Sequence, residues 1–185
     1  RSLPTASLDA GLVFEGAAGS RGQRRLTLEP RVLYVYTPYR NQDDLPVFGS
    51  AVPDLNLVQL FRTNRYVGGD RVGDANQASV GVTSRIFDAD SGRQLLAATI
   101  GQTVYFDAPR VALPGETTND RDTSDLIAQV ALTALHDWTA NLGVQWNPAE
   151  AERERMQVQL QYRPAATSVV NVGYRYQRER IDQAE

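Results

Sequence analysis

From Arg155 to Arg163 the chain reads R-M-Q-V-Q-L-Q-Y-R, with every even position apolar and every odd one Arg or Gln. Ser168 to Gln177 repeats the design, with Val170, Val172, Tyr174 and Tyr176 opposite Asn171, Gly173, Arg175 and Gln177. Side chains alternate across a β-strand, so this pattern predicts strands with one apolar and one polar face. The same alternation predicts strands at Ser7–Glu15, Arg25–Thr37, Ala75–Phe87, Asp125–Thr133 and Trp138–Asn147. Gln94–Phe106 is the least regular, because Leu95 and Gln102 break the scheme. Pro30 lies inside a predicted strand, where its missing N–H predicts a bulge or local distortion.

The connections alternate in length. Short ones at about 16–24, 88–93, 135–137 and 164–167 interleave with long ones at about 38–74, 107–124 and 148–154. All long connections then emerge on one side. An antiparallel meander of about eight long strands, with short turns on one rim and long loops on the other, is the habit of outer-membrane barrels. The long loops are expected to be extracellular and the short connections periplasmic.

A soluble β-sandwich also alternates, but three features favour the membrane. Most predicted strands hold about nine residues or more, whereas soluble strands cluster near ~5–6 and ~9–11 tilted residues cross a bilayer. Aromatic residues sit near strand ends on the apolar face, as a girdle would: Tyr34, Tyr36, Phe106, Trp146, Tyr174 and Tyr176 on the long-loop side, with Trp138 and Tyr162 opposite. Lastly, the polar face carries Arg and Gln without acidic partners in the same strands, which suits a wet lumen. Eight strands leave an interior just wide enough for packed side chains. That is too narrow for so many Arg, Gln and Asn, so a segment of a wider barrel is expected.

Composition trims the alternatives. No apolar run approaches the ~20 residues of a spanning helix, and no N-terminal signal peptide is recognisable. That absence and the abrupt start R-S-L-P agree with a fragment. Cys is absent, removing thiol chemistry. With a net charge of −3 there is no electrostatic case for nucleic acid. All nineteen basic residues are Arg, as in a GC-rich genome; Arg also suits phosphate and carboxylate partners.

The block from Leu28 to Pro46, L-E-P-R-V-L-Y-V-Y-T-P-Y-R-N-Q-D-D-L-P, adds something alternation cannot generate. Together with Leu60–Gln77, Val80–Arg85, Gly101–Phe106 and Gly173–Tyr176, it resembles the lipopolysaccharide-assembly outer-membrane family LptD, also called organic solvent tolerance protein. The resemblance covers essentially the whole chain and implies a very large barrel behind a periplasmic jelly roll. It also implies a lipoprotein plug of the LptE type in the lumen and a periplasmic bridge of the LptA type. Lipopolysaccharide would pass from that bridge to the outer leaflet. The jelly roll, the lateral exit and the family's cysteines would lie outside this chain. A porin-like diffusion channel is the alternative, and a soluble carbohydrate-binding sandwich the third choice.

No catalytic residue, cofactor or metal is expected. The single histidine, His136, sits in a tight turn, and Asp88–Gly92 departs from a calcium loop in its Gly spacing and in placing Thr99 where Glu is needed. Parity and charge place Arg31, Arg155, Gln157, Gln159, Gln161, Arg163 and Arg175 on the lumen wall, as candidate contacts for the plug or an anionic glycolipid. Gly11, Gly81, Gly101, Gly143 and Gly173 share that parity, with Gly143 and Gly173 the candidates for making room for a plug. Within the first long loop, Leu55–Phe61 predicts a short helix capped by Asp54 that folds over the barrel mouth.

Overall fold

The computed structural model describes residues 2–19, 22–53, 56–116, 121–165 and 167–178. It is an all-β antiparallel meander. The strands are β1 (Ala6–Gly11), β2 (Phe14–Ala18), β3 (Arg24–Thr37), β4 (Ala75–Asp88), β5 (Gln94–Tyr105), β6 (Leu126–Leu132), β7 (Trp138–Asn147), β8 (Glu152–Ala165) and β9 (Ser168–Gln177). They pair in the order β1-β3-β4-β5-β6-β7-β8-β9, and β2 also pairs with β3. The one helix among the described residues is α1 (Leu57–Leu60). No helix there is long and apolar enough to cross a membrane.

Nine strands replace the expected eight because the first is interrupted. Gly11 pairs with Arg31 in β1 and Phe14 with Leu28 in β2, so two residues separate the pairs on each strand and the register never slips. At the gap Leu12 N–H donates to the Pro30 carbonyl at 3.0 Å. The return bond is impossible because proline has no N–H. Pro30 therefore produces an interruption and no bulge. Pro30→Ala is expected to restore the bond and add about 1 kcal/mol, read as a slowly exchanging amide at position 30.

The real bulge between β7 and β8 went unforeseen. Gln145 pairs with Arg155 but Trp146 pairs with Arg153, leaving Glu154 as the extra residue. This bulge hides the start of β8, so the connection expected at 148–154 is in fact a four-residue turn, 148–151. At the far end a second irregularity lets β8 run to Ala165, which pairs with Ser168, where a longer turn was expected.

The chain forms two compact units: Arg1–Leu12, Pro30–Gly81 and Gly101–Ser124; and Val13–Glu29, Val82–Ile100 and Asp125–Glu185. The first holds nearly all of the buried apolar core. Among the described residues, Leu33, Val35, Leu60, Tyr66 and Val111 belong to it, and Ile127 alone to the second. Within the first unit the odd residues of β3 from Leu33 to Thr37 are buried, while Val32, Tyr34 and Tyr36 are exposed. In the second, Leu142, Trp146, Leu160, Val170, Val172, Tyr174 and Tyr176 are all exposed on the even face. An apolar face left open on successive strands inverts the usual arrangement of a water-soluble sheet.

Gln102, which breaks the alternation of β5, has a structural reason to be there. Its amide donates to the Ser124 carbonyl at 2.9 Å, satisfying a backbone group just before β6 begins.

Candidate functional site

In the first unit a long loop packs on the polar face of its own strands. Asn56, rather than Asp54, caps α1: its side chain accepts from Val58 N–H at 2.9 Å and Gln59 N–H at 3.0 Å. Asp54 lies outside the described residues. Leu60 at the end of α1 is 2% exposed. A Cβ built on Gly101 would stand 2.6 Å from Leu60 Cδ2 and 3.1 Å from the Val80 carbonyl oxygen. The missing side chain of Gly101 is thus the seat for Leu60, so this room is filled by the chain's own loop and no plug is needed there. The next residue, Phe61, lies under the Arg31 guanidinium, 4.5 Å from ring centroid to Cζ.

The loop is held by polar groups that read as mere loop composition in the sequence. Asp70 accepts from the Ser50 hydroxyl at 2.7 Å and from Phe48 N–H at 2.6 Å, and these bonds hold its carboxyl well below the usual range. Buried Arg71 donates to the carbonyls of Gln42 and Leu45, and Gln42 clasps Val72 through both ends of its amide. Gly68, at φ +93°, would bring a Cβ within 2.7 Å of the Gly49 carbonyl oxygen, so only glycine fits.

A second knot ties this loop to the 107–124 connection. Arg65 Nη2 stands 3.1 Å from Glu116 Oε1 and donates to the Val111 carbonyl at 2.5 Å. The Tyr66 hydroxyl donates to that carbonyl at 2.7 Å and lies 2.9 Å from Glu116 Oε2. Asp74 accepts from Val111 N–H at 2.8 Å, and Arg110 stacks over Tyr39 at 3.9 Å.

Burial pushes the Tyr66 phenol up from 10.0 to about 12, against the opposing pull of Arg65. Below pH 10 the phenol is protonated in both folded and unfolded chain, and its contribution is complete. Between 10 and about 12 only the unfolded chain ionises, so the knot weakens as pH rises through that window. Proteolysis of the loop across this range is expected to accelerate with pH; in Tyr66→Phe this tyrosine-linked acceleration should vanish.

The lumen candidates differ in their surroundings. Arg31 is bound to Asp9 by two bonds, at 2.9 and 2.5 Å. Arg85 pairs with Glu29, and Arg25 with Glu15 at 3.5 Å. The sequence offered these arginines no acidic partner within their own strands; the acids stand on neighbouring strands, and only the register reveals them. Gln161 donates to Asn171 at 3.0 Å. Arg155 is half-buried between its cross-strand neighbours Gln145 and Gln177. Arg163 ends exposed near the turn, its N–H donating to the Asp137 carbonyl at 2.7 Å. Arg175 stands opposite Gln157 and Gly173 opposite Gln159, both exposed on β9.

Gly143 lies at the centre of a row, Gln129–Gly143–Gln157, with Asn141–Gln159 beside it. Here the polar face opens into a groove of about 280 Å³. Gln129 and Asn141 were missed by sequence reasoning; their odd parity was the available signal.

The girdle candidates lie on or beside the even face. Trp138 stacks on Tyr162 at 4.5 Å and Tyr34 meets Phe106 at 6.2 Å. Trp146, Tyr174 and Tyr176 are exposed on the strands, as is Tyr36. His136 is almost fully exposed beside Asp137, and Asp88 closes its turn through Ser91, with bonds of 2.9 and 2.6 Å. No group of three His, Cys, Asp or Glu that would hold a metal occurs among the described residues.

The family model for LPS transport system D, LptD, matches residues 1–185. The chain belongs to the LptD family. Among its relatives are the LPS-assembly proteins LptD of Aromatoleum aromaticum, 44% identical over 98% of this chain, and of Thiobacillus denitrificans, 40% identical over 100%. That of Nitrosococcus oceani is 36% identical over 99%. The chain spans 23%, 26% and 25% of these relatives respectively, about a quarter of each. The loop block that carried the resemblance is the one whose polar groups knit the two long connections together.

Proposed function

We propose that this chain is part of the wall of an outer-membrane translocon that delivers lipopolysaccharide to the outer leaflet. Its exposed apolar face meets lipid and its polar face lines the lumen. The observation that carries this reading is the separation of faces on β7–β9, where apolar residues are exposed on one parity and amides and glycines gather on the other. Family membership supplies the cargo, since the relatives are LPS-assembly proteins. The long connections 38–74 and 107–124 lie outside the cell, and the short turns face the periplasm. Tyr34, Tyr36, Phe106, Trp138, Trp146, Tyr162, Tyr174 and Tyr176 sit at headgroup level. An LptE-type lipoprotein occupies the lumen, and an LptA-type bridge delivers the lipid through a domain outside this chain. No residue acts as a catalyst.

The reading as a porin-like channel is disfavoured by α1, which packs Leu60 on the polar face where an open pore would need clearance. A soluble sandwich is disfavoured by the uncovered even face. The test is a pair of substitutions in the full-length protein, expressed in cells depleted of their own copy. Leu160→Arg puts a charge in lipid at a cost of about 2–4 kcal/mol near the midplane. It is expected to block assembly into the outer membrane and the arrival of new lipopolysaccharide at the cell surface. Gln159→Arg, one position away, is expected to assemble normally. Equal tolerance of both would overturn the assignment of faces.

A further inference from the structure

Two glycines on the polar parity have opposite surroundings. Gly101 is filled by Leu60, whereas a Cβ on Gly143 would meet nothing nearer than Gln129 Cγ at 3.9 Å. Gly143 has no positive φ and no close backbone neighbour that would demand glycine. Glycine in a strand interior weakens it. With no conformational need for it, what the residue provides is the empty floor of the groove.

The walls of that groove have a definite chemistry. Gln129, Asn141, Gln157 and Gln159 surround Gly143, with Thr99 at the edge. Elsewhere on this face polar side chains are partnered: Gln161 with Asn171, Gln145 with Asp125 at 2.7 Å, Thr83 with Thr99 at 3.0 Å. The four groove amides have no side-chain hydrogen bond among the described residues. Each amide offers two N–H donors and a carbonyl acceptor.

This donor set selects a ligand by elimination. A phosphate favours Arg forks, and no cation lines the groove. An acyl chain would strip water from the amides and leave them unsatisfied. A hydroxyl both donates and accepts, so an amide meets it in either orientation. We propose that the groove over Gly143 is a subsite for uncharged, hydroxyl-bearing sugar residues of the glycan being moved. This rests on the lipopolysaccharide reading above and adds to it which part of the molecule touches which wall. Contacts without charge or aromatic stacking hold a sugar weakly, as a moving cargo requires.

The test uses the full-length protein purified with its natural lumen partner in detergent. The probe is the water-soluble oligosaccharide released from lipopolysaccharide by mild acid, titrated while saturation-transfer NMR reports binding. Wild type is expected to bind it. Gly143→Val, which fills the floor, and the double variant Gln157→Leu/Gln159→Leu are expected to bind at least about tenfold more weakly, the equivalent of one or two lost hydrogen bonds. Thr139→Ala, on the same face but outside the groove, is expected to bind like wild type. Heat-modifiable migration and partner co-purification report folding for every variant. Unchanged oligosaccharide binding in folded groove variants overturns the subsite, while binding of intact lipopolysaccharide would leave the translocon reading standing. Loss of lumen-partner co-purification with sugar binding intact would instead make the groove a seat for protein. Failure of wild type to bind intact lipopolysaccharide at all would remove the reading on which the subsite rests.

Discussion

Gly101→Val is expected to evict Leu60 from the polar face and release the 38–74 loop. The added side chain would occupy the space 2.6 Å from Leu60 Cδ2, with the Val80 carbonyl blocking retreat on the other side. Leu60 is almost fully buried, so its removal costs on the order of 2–5 kcal/mol of local stability. The measurement is protease cleavage within the loop on intact cells producing the full-length protein, together with their sensitivity to a bulky antibiotic. Wild type should resist both, and Gly101→Val should be cut and become sensitive while still migrating as a folded barrel. Leu60→Ala should loosen the loop by losing the knob. Combining it with Gly101→Val should recover part of the loss, because one change vacates the volume the other fills. A resistant loop in Gly101→Val would refute the knob-in-hole account.

Glu116→Ala is expected to open the second fastening, between the 38–74 and 107–124 connections. It leaves the Arg65 guanidinium without its carboxylate and removes the acceptor of Leu113 N–H, a bond of 2.8 Å. Breaking a buried pair costs ~3–5 kcal/mol; with the two side chains 25% and 17% exposed, solvent screens part of this, and about 2 kcal/mol is expected. Hydrogen exchange at Leu113 and Val111 should accelerate by roughly an order of magnitude or more. Glu116→Gln, which keeps an acceptor but no charge, should fall between. If both amides stay as protected as in wild type, the two loops are held by something other than this knot.

How much of this was legible depended on range. Period-two alternation located every strand but β2, most of which fell in an expected connection, and placed Trp138–Asn147 and Ser168–Gln177 to the residue, because a half-exposed sheet writes its faces directly into the sequence. The shared polar parity of Gly143, Gln157 and Gln159 was visible for the same reason. What stayed hidden needed register. Asp9 lies diagonally across from Arg31, an arrangement that no reading of either strand alone can supply. The loop bonds of Asp70 to Ser50, Arg71 to Leu45 and Glu116 to Tyr66 join residues 20, 26 and 50 positions apart, distances over which neither partner signals the other. The seat of Leu60 on Gly101 was equally silent, since a glycine reports missing volume but not its occupant.

Glu154 carries a practical consequence for anyone placing probes on this protein. Because one extra residue is inserted there, counting by twos from Gln157 through Arg155 assigns position 153 to the wrong face: Arg153 stands opposite Trp146, on the side of the apolar face. A spin label or cysteine at position 153, chosen by alternation to sample the polar face, would report from the opposite face of the sheet. On one side of the bulge odd numbers read one face; on the other side the same parity reads the other.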